Sequence, residues 1–336
     1  MLKYTKNEHI KYAFNKNAKP IFDCELPVHI FGTGSEGNSV FFKNWNTLID
    51  IGLPYNRYDA FDEDFFQYVD YVVVTHSHGD HLNASTLIKA MQNYPHIKCV
   101  MSKFTFEEIT NPKFKAIYKT KKDENGKTLK EINPLGKEEI AYEYDDNYNK
   151  IIEKSPYKEK LEKLQHKFII IDNESSNLKL TFPTRKGKIE LTAFTVKHGD
   201  IVNIAIQIQD IDTGFLILYA SDLDNLKGQT TFFDYNQKIQ HVSGLPQNTM
   251  YDFILLEANY DEQIITDWME LHDSPSDLAR ARGNLRHISE KEAFDYVEKH
   301  LTNNGIFIPI HASKTFGTLI QQWTLGDKSP RHILKK

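Results

Sequence analysis

A chain of 336 residues with 40% hydrophobic side chains is long enough for one large domain or two ordinary ones, and rich enough to bury a core. Its formal net charge of -5, from 41 basic and 46 acidic residues, leaves no global basic field of the kind that marks a dedicated nucleic-acid binder. Cys24 and Cys99 do not make a disulfide framework, no apolar run is long enough to span a bilayer, and residues 1–20 carry no signal-type apolar core. The expectation is a cytoplasmic protein with no membrane partner.

The first notable stretch is "FGTGSEGNSVFF", Phe31 to Phe42. Gly32, Gly34 and Gly37 fit G-x-G-x-x-G, the dinucleotide-binding fingerprint. That fingerprint works only as strand, glycine turn, then helix with its N-terminus facing a pyrophosphate. Here "PVHIF" precedes the glycines as a strand, and Val40 to Phe42 and Thr47 to Ile51 follow as β-formers ended by Gly52 and Pro54. The segment therefore reads as a glycine hairpin, and no dinucleotide cofactor is expected. Ser35 and Asn38 are placed either to cap that turn or to offer donors to a substrate phosphate.

Next comes an acidic, aromatic connector, "YDAFDEDFFQYVD", and then a buried strand, Tyr71 to Val74, that breaks into "THSHGDH". "ASTLIKAMQNY" has helical spacing with Leu87, Ile88 and Met91 on one face, and "IKCVMS" reads as the following strand, an α/β signature. From Lys103 to Gln165 the chain turns polar and dense in Lys, Glu and Tyr. It reads as an insertion or peripheral subdomain with a solvated mixed-charge surface, a lid or a dimer contact being the functional alternative. A helix is expected from Ser155, with Pro156 just inside it. From "KFIIID" onward successive strands return: "LKLTF", "GKIELTAFTVKH", "NIAIQIQD", "GFLILYASD", "YDFILLEAN" and, last, "GIFIPIHAS". Two helices precede that last strand. "SPSDLARARG" opens on Ser274, and "SEKEAFDYVEKHL" carries the capping box Ser289 and Glu292.

The chemistry concentrates in "THSHGDH". His76, His78, Asp80 and His81 fall within six residues at the end of an apolar strand, and imidazole with carboxylate is a ligand set for Zn²⁺ and similar metals. Three more ligand types follow strands elsewhere: His198, Asp222 and His311. One at a time, such residues are usually turn residues or caps. Taken with the histidine loop, they describe several strands delivering ligands to one sheet edge.

These residues, with Asp50 in "LIDIG", resemble the metallo-β-lactamase superfamily in type and order from Val28 to Ile310, the Lys103 to Gln165 insertion excepted. The resemblance implies one α/β (α+β) domain, an αββα sandwich of two mixed sheets with helices on both outer faces. It implies a first metal on His76, His78 and His198, a second on Asp80, His81 and His311, and Asp222 bridging both, with Asp50 orienting the loop. Asp80 is then both ligand and part of the catalytic group. The metals expected are two divalent ions, Zn²⁺ first, Mn²⁺ or Fe as alternatives. Asp80 beside His81, and Asp222 in place of a cysteine, separate the chain from the cysteine-liganded drug-hydrolysing type. Glu257 in "LLEANYDE" and His287 in "GNLRHISEKEA" look like the paired glutamate and histidine of the RNase Z-like and single-domain DNA exonuclease-like phosphodiesterase branch.

On that resemblance the expected function is a dinuclear phosphodiesterase or nuclease acting on DNA or RNA ends or on small cyclic nucleotides, through a metal-bridged hydroxide. His287, oriented by Glu257, would protonate the leaving group. Arg280, Arg282 and Arg286 lie beside it in sequence, and Arg282 and Arg286 are taken as phosphate contacts together with Ser35 and Asn38. Transfer-RNA processing is disfavoured, because the stretch from His198 to Asp222 has no room for a long tRNA-gripping arm. The alternatives are hydrolysis of a small carboxylic ester, thioester or lactone, and a non-catalytic metal-holding scaffold whose insertion binds a partner. The sequence does not set the oligomeric state; a homodimer is the assembly that the resemblance allows, since dimers are frequent among similar enzymes.

Overall fold

The computed structural model describes residues 28–133, 136–172, 178–184, 187–322 and 331–334. Cys24 and the N-terminal stretch read above for a signal sequence lie outside them. Contacts divide the chain into Met1–Thr105 with Lys167–Lys336, and Phe106–His166.

In the larger unit the glycine stretch is a hairpin. Strands β1 (Val28–Gly32) and β2 (Ser39–Phe42) pair antiparallel, and β2 pairs in turn with β3 (Thr47–Ile49). Gly34 (φ +125°) and Gly37 (φ +142°) turn the chain, closed by Gly37 N–H donating to Gly34 O at 2.9 Å. No helix follows, as expected. The aromatic connector folds into α1 (Tyr55–Asp59) and a 3-10 turn (Phe65–Tyr68). It does so because its rings have a surface to cover: Tyr58 and Phe65 lie 5.0 and 4.8 Å from Phe31 on the outer face of the sheet.

Strand β4 (Tyr71–Val74) then runs parallel to β3, and α2 (Ala84–Asn93) buries Leu87, Ile88 and Met91 behind an Asn83 cap. Strand β5 (Lys98–Ser102) lies parallel to β4 and leads into α3 (Lys103–Thr110).

The smaller unit contains β6 (Ile117–Tyr118), β7 (Lys130–Ile132), β8 (Glu138–Ile140), β9 (Ile152–Lys154) and α4 (Lys158–Lys163). Strands β6 and β9 pair antiparallel, as do β7 and β8. Its turns are held by side chains: Asp123 Oδ1 accepts from the amides of Asn125 and Lys127, and Asp145 Oδ1 from those of Asn147 and Asn149. The expected helix at Ser155 begins later, with Tyr157 at the N-cap position, because the Ser155 hydroxyl donates to Pro112 O instead of capping.

Strand β10 (Phe168–Ile171) returns to the larger unit and completes a six-stranded sheet, β1-β2-β3-β4-β5-β10. A second six-stranded sheet has the order β11-β12-β13-β14-β17-β18. Its members are β11 (Leu178–Thr184), β12 (Gly187–His198), β13 (Ile201–Asp210), β14 (Leu216–Ala220), β17 (Tyr251–Glu257) and β18 (Leu301–Ile310). A small hairpin, β15 (Thr230–Phe233) and β16 (Ile239–Val242), interrupts the run. Before β18 come α5 (Glu262–Leu271), α6 (Pro275–Asn284) and α7 (Glu290–His300). Ser274 caps α6, and the box of Ser289 and Glu292 caps α7.

Alternation along the strands explains the layers. Val40, Phe42, Ile49, Val73 and Val100 of the first sheet meet Leu191, Ile206, Tyr219, Phe253 and Ile308 of the second in one buried cluster. The opposite residues of the second sheet, such as Leu218, Ile254, Leu256 and Phe307, pack against Ala293, Phe294 and Val297 of α7. The larger unit is therefore an αββα sandwich of two mixed sheets. Each sheet is antiparallel at one side and parallel at the other: β3, β4, β5 and β10 in the first, β14, β17 and β18 in the second. Parallel strands end at the same edge, and that edge carries the site. Among the described residues no helix is long and apolar enough to cross a membrane.

Candidate metal centre

The histidine loop is built on Asp50. This carboxylate is fully buried at the end of β3 and is reached from four directions. Oδ1 accepts from the Thr75 backbone amide at 2.9 Å and from its hydroxyl at 2.9 Å, while Oδ2 lies 2.7 Å from His81 Nδ1 and accepts from Tyr219 Oη at 3.1 Å. With its Nδ1–H given to Asp50, His81 presents Nε2 to the site. The backbone is pinned as well: Ile51 N–H donates to His81 O, and Asn38 N–H to Asp80 O at 2.6 Å. Gly52 lies so close that an added Cβ would fall 1.8 Å from Asp80 O.

Around Asp222 the imidazoles converge. Its Oδ2 is 3.4 Å from His76 Nε2, 3.3 Å from His81 Nε2 and 3.5 Å from His198 Nε2, and its Oδ1 is 3.1 Å from His311 Nε2. Asp80 Oδ2 lies 3.8 Å from both His81 Nε2 and His311 Nε2. Ligand atoms of His76, His78, His198 and Asp222 all lie within 4.8 Å of one another, as do those of Asp80, His81, Asp222 and His311. Asp222 is common to both groups. The seven residues singled out from sequence as ligands are thus brought together in these two groups, and a third group, Asp222, Glu257, His287 and His311, overlaps them.

The donor set fits cations on two grounds. His76 Nε2 and His311 Nε2 are buried with no hydrogen-bond partner, despite the carboxylate oxygens beside them. Asp222, 3% exposed, and Asp80, 22% exposed, also face the same imidazoles, His81 and His311, and positive charge there offsets the two carboxylates. Burial holds His76 neutral, its pKa lowered to about 4, and likewise lowers that of His198 to about 3, leaving both as lone-pair donors.

Three residues of this edge share a rare backbone conformation. Asp50, Asp222 and His311 have φ of 57°, 56° and 56°, in the left-handed region. Each stands directly or one residue after its strand. For Asp222 the buried Asn203 amide holds the turn, donating to Ser221 O at 2.6 Å and to Asp222 O at 2.7 Å. For His311 the Asn259 amide does the same, donating to His311 O at 2.7 Å. Neither asparagine was singled out from sequence. Their signal was a polar residue flanked by apolar ones, Asn203 within residues 201–206 and Asn259 just after the apolar 254–256 run of β17.

Glu257 and His287 adjoin this centre. Glu257, fully buried at the end of β17, has Oε1 at 2.5 Å from His287 Nδ1 and 3.1 Å from His311 Nδ1, and Oε2 accepts from Leu223 N–H at 3.0 Å. The His287 contact is short but not in line with the ring N–H, which makes it an ion pair rather than a linear hydrogen bond. The His287 ring stacks on His311 at 5.1 Å and lies 5.1 Å from His198. Burial opposes a charge on His287, but the Glu257 carboxylate outweighs it and holds the pKa above the ordinary histidine value. Burial likewise opposes ionisation of Glu257, and His287 and His311 reverse it, holding that pKa below the ordinary carboxylate range.

A cleft of about 470 Å³ opens onto His287 and His311. Ser35 lines it and is exposed. Asn38 does not line it: at 1% exposure its amide bridges Gly34 O and Asp80 O and lies 2.8 Å from His81 Nε2, and its carbonyl oxygen accepts from Gly34 N–H at 2.7 Å, so it ties the turn to the ligand loop. The arginines also differ from expectation. Arg280 lines the cleft, together with Arg57 and Lys314, while Arg282 and Arg286 are exposed residues outside its lining. Helical phase separates Arg282 from Arg280, two residues round α6. Arg286, beyond the helix end, lies instead against Gly199.

No family model matches this sequence, and no curated protein does. Similar solved structures include the short form of human tRNase Z, at 14% identity over 85% of this chain and 92% of that one, with a TM-score of 0.40. The metallo-beta-lactamase fold protein YhfI from Bacillus subtilis aligns at 14% identity over 86% and 96%, with a TM-score of 0.40. A diphosphatase from the PhnP family aligns at 12% over 87% and 88%, with a TM-score of 0.37. At such identities and scores, what this chain does has to be argued from its own side chains.

Proposed function

We propose that the chain is a metal-dependent phosphodiesterase, acting on nucleic-acid ends or on small cyclic nucleotides. The observation that carries this reading is the Glu257–His287 pair beside the two ligand groups. Hydrolysis of an ester or lactone needs the ligands alone, and nothing in that chemistry calls for a further imidazole held by its own buried carboxylate.

His76, His78 and His198 would hold one divalent ion and Asp80, His81 and His311 the other, with Asp222 shared. Bound there, the ions would polarise a phosphoryl oxygen and lower the pKa of a water in their field. The chain's own residues do the rest. Glu257 occupies His287 Nδ1 and leaves Nε2 as the free ring position. The Glu257 carboxylate favours the protonated ring, which would give Nε2–H to the leaving oxygen as the P–O bond breaks. Asp50 fixes the tautomer of His81, and Asn38, through Asp80 O, holds the loop against the β1–β2 hairpin.

The test is hydrolysis of bis(p-nitrophenyl) phosphate by protein loaded with Zn²⁺ or Mn²⁺, where no turnover with metal bound overturns the reading. His287→Ala refines it. A leaving group with a poor alkoxide depends on a proton donor, so nucleotide cleavage should fall by about 10²–10⁴-fold, far more than release of p-nitrophenolate. Full activity of that variant on nucleotides would return the site to the ester and lactone chemistry.

A further inference from the structure

The cleft above His287 gathers charge that the chain as a whole lacks. Arg57 of α1, Arg280 of α6 and Lys314 after β18 line it, against one acid, Glu36 of the β1–β2 turn, in a protein of net charge -5. Arg280 lies on α6 and His287 three residues beyond its last residue, Asn284. Arg280 Nη2 donates to Thr315 Oγ1 at 2.6 Å, which ties the guanidinium to the segment that carries Lys314. Lys314 is ion-paired with Glu36, and both side chains are at least half exposed, a screened and exchangeable contact. Between Arg280 and His287 the wall is open: a Cβ at Gly283 would meet nothing within 4 Å.

We propose that Arg280 and Lys314 form a subsite for a second phosphate of the substrate, distinct from the phosphate presented to the ligand groups. The substrate class is then a nucleotide chain that carries at least one phosphate besides the one cleaved, in preference to a cyclic mononucleotide. This inference rests on the phosphodiesterase reading. A single phosphate at the centre is already met by His287 and the ligand groups, and leaves the other cations of the cleft without a role. A guanidinium fork beside an ammonium is suited to the several oxygens of a terminal phosphate. Glu36 occupies Lys314 until such a phosphate displaces it.

Calorimetric titration of the Zn²⁺-loaded protein with thymidine 3′,5′-bisphosphate and thymidine 5′-monophosphate tests the subsite without turnover. The bisphosphate should bind at least about tenfold more tightly, the scale of one charged hydrogen bond. The double variant Arg280→Ala, Lys314→Ala should erase that preference, Arg280→Lys should keep part of it, and Glu36→Gln should tighten the bisphosphate alone. Equal binding of the two ligands by the native protein overturns the inference, as does a preference that survives in the double variant. Bis(p-nitrophenyl) phosphate turnover separates the two levels. Without it the phosphodiesterase reading falls while a measured preference still stands, and with it but no preference only the subsite falls.

Discussion

The two sheets reach the same edge by opposite means. The first delivers its ligands in one run, Thr75 to His81, and depends on a single carboxylate, Asp50, to hold that run in shape. The second delivers one residue per strand end, His198, Asp222, Glu257 and His311, and depends on the register of β12, β14, β17 and β18. The loop is therefore precise through local hydrogen bonds, and the strand ends through the rigidity of a sheet buried on both faces. Losing a local tie should loosen several ligands of the loop at once. Losing a tie in the second sheet should disturb one.

The hardest blow to both halves is Asp222→Ala, because Asp222 belongs to both ligand groups. Metal analysis of the purified variant should give fewer than one ion per chain, with activity down by about 10³-fold or more, the loss of several kcal/mol of charge stabilisation. Retention of two tightly held ions would break the picture of a shared carboxylate.

Asp50→Asn and Asn203→Ala put the contrast itself to the test. Asp50→Asn removes the acceptor that sets His81 and Thr75, and competition with a chelator should show metal affinity weakened by about 10–100-fold. Asn203→Ala leaves two buried carbonyls unpaired, so urea unfolding should show a loss of about 1–3 kcal/mol with a smaller change in metal affinity. If the two variants weaken the metal equally, the sheets do not differ in the way described.

An effect on stability alone lies away from the edge. His29 in β1 is buried against Phe31 and Phe61, and that burial, helped by Lys43, lowers its pKa to about 3. The unfolded chain binds a proton there near pH 6.5 and the folded one does not, so the stability tied to a neutral His29 is complete above that pH and drains as pH falls toward 3. His29→Phe should remove that loss. Between pH 7 and pH 5 the native protein should lose about 2 kcal/mol more than the variant in urea titrations.

Much of this was legible in the sequence, and for a physical reason. His76, His78, Asp80 and His81 are adjacent, so their density survives without knowledge of the fold, and strands read from β-formers place His198, Asp222 and His311 at their ends. What escaped was set by geometry between distant segments. Tyr219 meets Asp50 across the sandwich, from 169 residues away. Arg280 and Arg282 look alike in sequence and are separated only by the turn of α6. The polar stretch from Lys103 hid its strands because Asp123 and Asp145 close hairpins that have no apolar alternation to announce them.

Gly52 carries a consequence of its own. It ligates nothing and faces no substrate, yet the Asp80 carbonyl occupies the space where any side chain would begin. A screen of random point mutants for lost activity should return this glycine among the histidines and aspartates. Such an allele would alter no donor atom, and its defect would be recognised only by weighing the metal in the purified product.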